Sequence, residues 1–213
     1  LAAGRRRPVL VMPTGAGKGT CATYIIENAI AKNKNVRILF LINRILLAND
    51  MSDRLTALNI PHGVIMADDP RARPWLNTHV ASVDTLHRRK NLPPADIIFV
   101  DEAHHAVSPI WKKVLDRYPN AAVLGMTATP CRLDGRGLGQ VFDALVMGPT
   151  VSDLIAVNAS IDREGVVPIR TYAPASPDLT GVERTAGDWN KKQLAAACNK
   201  RKLVGDMAAH WLK

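Results

Sequence analysis

The strongest constraint on the fold is an apolar run that enters a glycine-rich turn and then a helix-like pattern. Residues 9–12 are apolar, and a turn with lysine follows them. Glycine lets the backbone approach an anion closely, and the free N–H groups at a helix start attract negative charge. The segment therefore predicts a polyphosphate-binding loop, with an ordinary strand-to-helix turn as the alternative for the glycines alone. The loop residues are Pro13, Thr14, Gly15, Ala16, Gly17, Lys18, Gly19 and Thr20.

This loop departs from the full pattern G-x-x-x-x-G-K-[ST] at two positions. Met12 stands at the first glycine, and Gly19 stands at the residue whose hydroxyl binds Mg²⁺. Thr20 lies one residue too late to replace that hydroxyl simply. We therefore expect the loop to bind a polyphosphate but to hold Mg²⁺ poorly.

Strand-like and helix-like segments alternate along the first 130 residues. Apolar runs predict strands at residues 8–12, 36–42, 63–66, 78–83, 97–100 and 121–126. Helical spacing or helix-start signals predict helices at about residues 18–32, 45–58, 84–90 and 108–118. The alternation predicts an α/β fold with a parallel sheet.

A change in composition divides the rest of the chain. Residues 1–150 are expected to form the phosphate-binding domain, and residues 151–189 an extended connector, because residues 168–188 are rich in Pro, Thr, Ser and Gly. The spacing of apolar residues predicts a helix over residues 190–213, and its apolar side chains need another surface to pack against. We expect this helix to begin a second domain and the chain to be a truncated fragment.

Composition limits the partners of the chain. The net charge of +9 and the pI of about 9.8 favour a polyanion such as nucleic acid, although the basic clusters are equally consistent with solvated faces. No apolar run approaches the roughly 20 residues that span a bilayer, so we expect a cytoplasmic protein with no membrane partner. The three cysteines form no C-x-x-C pair, which argues against a disulfide framework or a cysteine-based zinc site.

Two polar segments follow predicted strands, at the sheet edge where α/β proteins bind ligands. Asp101 and Glu102 come after the apolar residues 97–100 and suit a metal-side carboxylate and a group that orients water. A metal centre that includes His104 is the weaker alternative, because adjacent side chains point in different directions. Thr127 and Thr129 alternate at another strand end, where their hydroxyls face the cleft or serve structural hydrogen bonds.

Three segments together resemble a known family. Residues 13–18, the Asp101-Glu102-Ala103-His104 box and residues 127–130 resemble motifs I, II and III of superfamily two helicases, over residues 8–150. Within that superfamily the chain is similar to bacterial and phage DEAD/DEAH-type proteins related to RadD and to the helicase subunits of restriction enzymes, notably through residues 127–135 and 137–138. The resemblance implies that the chain is the first of two RecA-like domains and that its cofactors are ATP and Mg²⁺. It also implies two partners, which are nucleic acid (DNA rather than RNA) and the second RecA-like domain. A bacterial or phage origin is implied as well.

The resemblance also implies residue roles. Lys18 would contact the phosphates, Asp101 would bind Mg²⁺, and Glu102 would contact the attacking water. His104 joins the nucleotide-binding residues. Further roles fall on Thr127 and Thr129 in coupling, and on Arg44, Ser82 and Thr85 in nucleic-acid backbone contact. Asp84 stands where the family more usually carries glutamine, which weakens the assignment of its neighbours.

Three functions are weighed against these residues. The first is the ATP-binding motor domain of a DNA helicase or translocase, with weak hydrolysis in this chain because of Gly19 and the missing second domain. A nucleotide-dependent nucleic-acid-binding module that no longer hydrolyses is the second, and Gly19 favours it. A small-molecule P-loop kinase is the third, and the Asp101 box and residues 127–130 argue against it.

Overall fold

The computed structural model describes residues 4–130, 137–161, 177–185 and 188–199. The chain divides into two compact units, residues 1–167 and residues 168–213. No helix in the described ranges is long and apolar enough to cross a membrane.

The first unit alternates strands and helices, as the apolar pattern predicts. Its strands are β1 (Pro8–Val11), β2 (Ile38–Ile42), β3 (Gly63–Ile65), β4 (Thr78–Ser82), β5 (Ile97–Asp101), β6 (Ala122–Thr127) and β7 (Ala144–Met147). Its helices are α1 (Lys18–Lys32), α2 (Ile45–Ala57), α3 (Val83–Arg88), α4 (Pro109–Leu115) and α5 (Val151–Ile161). A short 3-10 turn at Ala103–His105 follows β5.

The strands form one sheet in the order β3-β4-β2-β5-β6-β1-β7. Every neighbouring pair in this sheet is parallel. The register brings the strand ends level, since Asp101 lies opposite Met126 and Val11 opposite Thr127. All the loops that follow the strands therefore leave from the same edge of the sheet, and the predicted α/β fold is confirmed.

Helices cover both faces of the sheet, so the central strands are buried on both sides. Alternate residues of β2 contribute to different cores: Phe40 packs with α1 and α2, and Leu39 packs with α3 and α4. On the α1 and α2 face the ring of Phe40 stacks on Phe99 of β5, with a centroid distance of 5.9 Å. This three-layer packing explains why both strands are continuous apolar runs rather than alternating ones.

Two elements differ from the sequence expectation. Helix α5 occupies the start of the segment predicted as an extended connector. The Asp153 carboxylate accepts hydrogen bonds from the backbone N–H and the hydroxyl of Thr150, and the Asp153 N–H donates back to that hydroxyl. This reciprocal capping starts a helix. The other is β7, a strand of the sheet that pairs with β1, in a segment for which the sequence predicts no strand.

The second unit has a small ribbon and a helix within its described residues. Strands β8 (Arg184–Thr185) and β9 (Asp188–Trp189) pair antiparallel. Helix α6 spans Lys191–Cys198, and the Asn190 side chain caps its start by accepting from the backbone N–H groups of Lys192 and Gln193. The predicted helix over residues 190–213 is thus present to residue 198, and residues 200–213 lie outside the described residues.

Candidate functional site

The loop between β1 and α1 has the backbone of an anion cradle. Gly15 and Gly17 both have φ of +84°, a conformation that side chains with a Cβ rarely adopt. Gly17 is also the N-cap of α1, and its carbonyl accepts from the N–H of Cys21 at 2.9 Å. The first N–H groups of α1 have no partner inside the helix, so they are available to an anion in the loop.

Lys18 places its ammonium group over this loop. Its Nζ donates to the backbone carbonyls of Met12 at 3.2 Å and Pro13 at 3.3 Å. Both acceptors are neutral, and a phosphate oxygen is a stronger partner for an ammonium group. Lys18 is therefore held where it can exchange these carbonyls for a bound polyphosphate.

Asp101 and Glu102 follow β5 at the same edge of the sheet. Burial raises the pKa of Asp101 above its usual value. A hydrogen bond from the Glu102 N–H, at 3.0 Å, lowers this pKa but does not outweigh the burial. The negative charges of Glu102 and Asp50 raise this pKa further, and the positive charge of Lys18 lowers it. Asp101 is thus a largely buried carboxyl group within electrostatic reach of Lys18.

Glu102 has a strained backbone. Its φ of +49° and ψ of 55° lie in the left-handed region, which is uncommon for a residue other than glycine. Such strain costs about 1–3 kcal/mol and concentrates at functional sites. Glu102 immediately precedes the 3-10 turn at residues 103–105, and it lines the cleft beside Asp101.

A cleft of about 370 Å³ joins these groups. The loop contributes six residues that the sequence predicted and that lie together: Thr14, Gly15, Gly17, Lys18, Gly19 and Thr20. Asp101 and Glu102 also line it, whereas Pro13, Ala16 and His104 do not. The sequence reasoning missed the contribution of helix α2, which adds Leu47, Asp50, Met51 and Arg54.

His104 turns toward the end of β6. Its Nδ1 lies 3.1 Å from the hydroxyl oxygen of Thr127, 3.2 Å from that of Thr129 and 3.4 Å from the Glu102 carboxylate. Thr127 is fully buried, and its hydroxyl oxygen accepts from the Thr129 N–H at 3.1 Å. The two threonines therefore form a hydrogen-bonded cluster with the Asp-Glu box and do not line the cleft.

The residues predicted to contact nucleic acid lie at the same edge, at the end of β4, at the start of α2 and in α3. Arg44 is exposed and is the N-cap of α2, and Ser82 ends β4 opposite Ile42. The Thr85 hydroxyl accepts from the Ala67 N–H at 3.1 Å, which ties the loop after β3 to α3. The structure thus brings Arg44 and Ser82 to one edge and gives Thr85 a structural hydrogen bond.

The described residues include no group of three or more His, Cys, Asp or Glu side chains that could hold a metal ion. Gly19 also removes the loop hydroxyl that usually assists. Mg²⁺ is commonly held by one or two carboxylates together with substrate phosphates. Asp101 fits that arrangement as the protein ligand, which would make metal binding depend on the nucleotide.

Fold and site together define the class of the protein. A parallel sheet with a phosphate-binding loop after β1 and an Asp-Glu box after β5 is the RecA-like domain of a superfamily two helicase. Residues 1–132 match the model of the family described as Type III restriction enzyme, res subunit, and the chain belongs to this family. The resemblance stated from the motifs is therefore confirmed.

Curated relatives of the chain include a phage protein and a bacterial protein. A 51.5 kDa protein of a Lactococcus phage (isolate 7-9) is 27% identical over 94% of this chain and 40% of its own length. The Type I restriction enzyme EcoAI endonuclease subunit of Escherichia coli is 31% identical over 60% of this chain and 17% of its own length. The chain spans less than half the length of the curated relatives it matches.

A solved structure shares the fold. It is a nuclease-deletion mutant of the Type ISP restriction-modification enzyme LlaGI in complex with a DNA substrate mimic. The TM-score is 0.56 at 17% identity, over 76% of this chain and 19% of that chain.

Proposed function

We propose that this chain is the ATP-binding motor domain of a nucleic-acid-dependent ATPase, either a DNA helicase or a DNA translocase. The observation that carries the proposal is the cleft itself. Lys18, Asp101 and Glu102 come from separate parts of the sequence and line one cleft at the carboxyl edge of the sheet. Nucleotide hydrolysis needs a phosphate cradle, a metal-side carboxylate and a group that orients water, and these residues match those needs.

Each residue has a proposed role. The loop from Pro13 to Thr20 holds the phosphates of ATP, and Lys18 binds their oxygens. Asp101 is the protein ligand of Mg²⁺, which when bound neutralises charge that develops on the phosphates. Glu102 orients the attacking water and accepts its proton. His104 is proposed to act near the nucleotide through Glu102, and the threonine cluster to couple this site to nucleic acid.

The proposed partner is DNA rather than RNA. The DNA substrate mimic bound to LlaGI and the restriction enzymes in the family support this choice. Arg44, Ser82 and Thr85 would contact the backbone phosphates, which fixes position without reading sequence. A second RecA-like domain is the other proposed partner, and it would supply the arginine that accelerates phosphoryl transfer.

Gly19 limits the proposed activity. The residue at this position usually provides a hydroxyl to Mg²⁺, and here it has no side chain. We therefore expect this chain to bind ATP and to hydrolyse it slowly, whereas the longer parent protein is the motor. Residues 1–150 would form the motor domain, residues 151–189 the connector, and the residues from 190 onward the start of the second domain.

Binding of a fluorescent ATP analogue to the whole chain tests the nucleotide site. Lys18→Ala should raise the Kd about tenfold or more, because a hydrogen bond to a charged group is worth about 1.5–3 kcal/mol. Lys34→Ala is the matched control, since Lys34 is exposed just beyond the far end of α1, about 22 Å along a helix of this length. Equal affinity of the wild type and Lys18→Ala would refute the proposed site.

The motor activity is tested by ATP hydrolysis with and without DNA or RNA, in this chain joined to its second RecA-like domain. Gly19→Thr should raise the rate, DNA should stimulate it, and Lys18→Ala should abolish it. If neither DNA nor RNA changes the rate of the Gly19→Thr form, the motor proposal fails.

A second candidate is a nucleotide-dependent nucleic-acid-binding module that does not hydrolyse ATP, and Gly19 is the observation that favours it. Its test is a titration of labelled single-stranded and duplex DNA against the chain, with and without a nonhydrolysable ATP analogue. Nucleic-acid affinity that is the same in both conditions rejects this candidate.

A further inference from the structure

The space beside Gly19 is occupied by a side chain from another helix. A Cβ built on Gly19 would lie 3.2 Å from Nε, 3.3 Å from Cζ and 3.5 Å from Cδ of Arg54. Arg54 belongs to α2 and lines the same cleft as the phosphate-binding loop. The volume that a threonine or serine would use at position 19 is therefore bordered by a guanidinium group.

Asp50 holds this guanidinium group in position. Its carboxylate accepts from Arg54 Nε at 2.8 Å, one helical turn away on α2. The Arg54 side chain remains 43% exposed, and the described part of the chain forms no hydrogen bond to its terminal nitrogens. A guanidinium group has five N–H donors. Four of them thus remain available to a ligand in the cleft.

The cleft carries charges of both signs, since Asp50, Asp101 and Glu102 also line it, and a polyanion is the ligand that matches its two cations. Lys18 and Arg54 provide two cations beside the loop, and the Arg54 guanidinium group borders the space that a hydroxyl-bearing side chain at position 19 would use. The planar guanidinium fork pairs with phosphate oxygens through two parallel hydrogen bonds, and it carries its charge at every physiological pH.

We infer that Arg54 binds the phosphate chain of the nucleotide directly, in the place left by the missing hydroxyl at position 19, and that Asp50 is its positioning residue. This inference rests on the proposed nucleotide site. It has a measurable consequence: a cation fixed in the protein takes over part of the charge neutralisation that Mg²⁺ normally provides, so nucleotide binding persists without a divalent ion.

The test is the Kd of fluorescent ADP for the whole chain, in excess Mg²⁺ and in EDTA. The wild type should bind with Kd values that agree within about threefold in the two buffers. Arg54→Gln should raise the Kd in EDTA about tenfold or more, because it removes a charged phosphate contact. Arg54→Lys retains the charge but loses the bidentate guanidinium fork, so it should raise the Kd in EDTA less than Arg54→Gln does.

Two further variants separate positioning from binding. Asp50→Asn weakens the hold on Arg54, so it should raise the Kd in EDTA less than Arg54→Gln does. Gly19→Thr introduces a Cβ that displaces the Arg54 side chain and restores a hydroxyl, so binding should become Mg²⁺-dependent by about tenfold or more. Arg88→Gln is the matched control, since Arg88 is exposed on α3, which packs on the opposite face of the sheet.

Thermal unfolding of each variant establishes that it is folded, which is expected because Arg54 and Asp50 are both substantially exposed. If Arg54→Gln binds like the wild type in EDTA while Lys18→Ala has lost affinity, the role of Arg54 is overturned and the nucleotide site stands. Loss of wild-type binding in EDTA also overturns it. If Lys18→Ala binds as well as the wild type, the nucleotide site itself is wrong.

Discussion

Gly125 offers a sharp test of how packing holds the site together. A Cβ at this position would lie 2.5 Å and 2.6 Å from the ring atoms Cε1 and Cζ of Phe142, and 2.9 Å from the Ala103 Cβ. Carbon atoms normally contact at about 3.5–4.0 Å, so the added methyl group is about 1 Å too close to its neighbours. Phe142 and Ala103 are both buried, so neither can move into solvent.

Gly125→Ala should therefore lower the free energy of unfolding by about 1–3 kcal/mol, the usual cost of overpacking. For a chain of this size that corresponds to a fall in Tm of about 2–12 °C. Gly125 lies opposite Val9 of β1 and Val100 of β5, the strands that deliver the loop and Asp101. Any shift of β6 therefore displaces both halves of the cleft, and the Kd for ATP should rise as well.

The assay is thermal and urea unfolding followed by circular dichroism. Gly139→Ala is the control, because a Cβ there has no neighbour within 4 Å and should change the stability by less than about 0.5 kcal/mol. Phe142→Leu makes room beside position 125, so the two changes should not be additive. The double variant Gly125→Ala/Phe142→Leu should lose less unfolding free energy than the two single variants lose together, by at least about 0.5 kcal/mol. Strict additivity, or a Gly125→Ala protein as stable as the wild type, would refute the reasoning.

Two predictions concern ionisation. Asp101→Asn should raise Tm near pH 7.5 but not near pH 3. Burial raises the folded-state pKa of Asp101, so this carboxyl group costs no stability below its unfolded-state pKa and lowers the stability as pH rises through the folded-state value. Asparagine does not ionise and avoids that loss. An equal or lower Tm at pH 7.5 would contradict this. Burial likewise raises the pKa of Tyr118 to about 12, so stability should fall between about pH 10 and pH 12, where the phenol ionises in the unfolded chain first. Tyr118→Phe should flatten that fall in alkaline unfolding curves. At neutral pH it should lower the free energy of unfolding by about 1 kcal/mol, because it removes the hydrogen bond from the Tyr118 hydroxyl to the Pro93 carbonyl.

The sequence predicted the central part of the sheet because its strands are buried on both faces. In β2 all five residues from Ile38 to Ile42 are buried, which produces a continuous apolar run of strand length. In β7, by contrast, Leu145, Val146 and Met147 are exposed on the described edge of the sheet, and the strand has four residues. Its pairing with β1 joins segments about 135 residues apart, and no local pattern carries that information.

The site was predictable where a side chain follows a strand directly. Lys18 and Asp101 come after apolar runs, and the parallel sheet brings the ends of those runs together. Arg54 and Asp50 were missed because an acidic and a basic residue four apart on a helix normally form an exposed surface pair. Their place beside the loop depends on how α2 packs against the sheet. The only local signal was Gly19, whose missing side chain leaves room for another group.

The sequence leaves two roles open for Thr127, a structural hydrogen bond and a coupling element. These two roles do not exclude each other. Its backbone carbonyl accepts from the Met12 N–H at 3.0 Å, at the start of the phosphate-binding loop. Its hydroxyl contacts His104, which lies 3.4 Å from the Glu102 carboxylate, and the Thr129 N–H donates to the same oxygen. One buried residue thus connects the loop, the Asp-Glu box and the segment after β6. The proposed coupling role would use these same bonds, because they join Glu102 to Thr129 through His104 and Thr127.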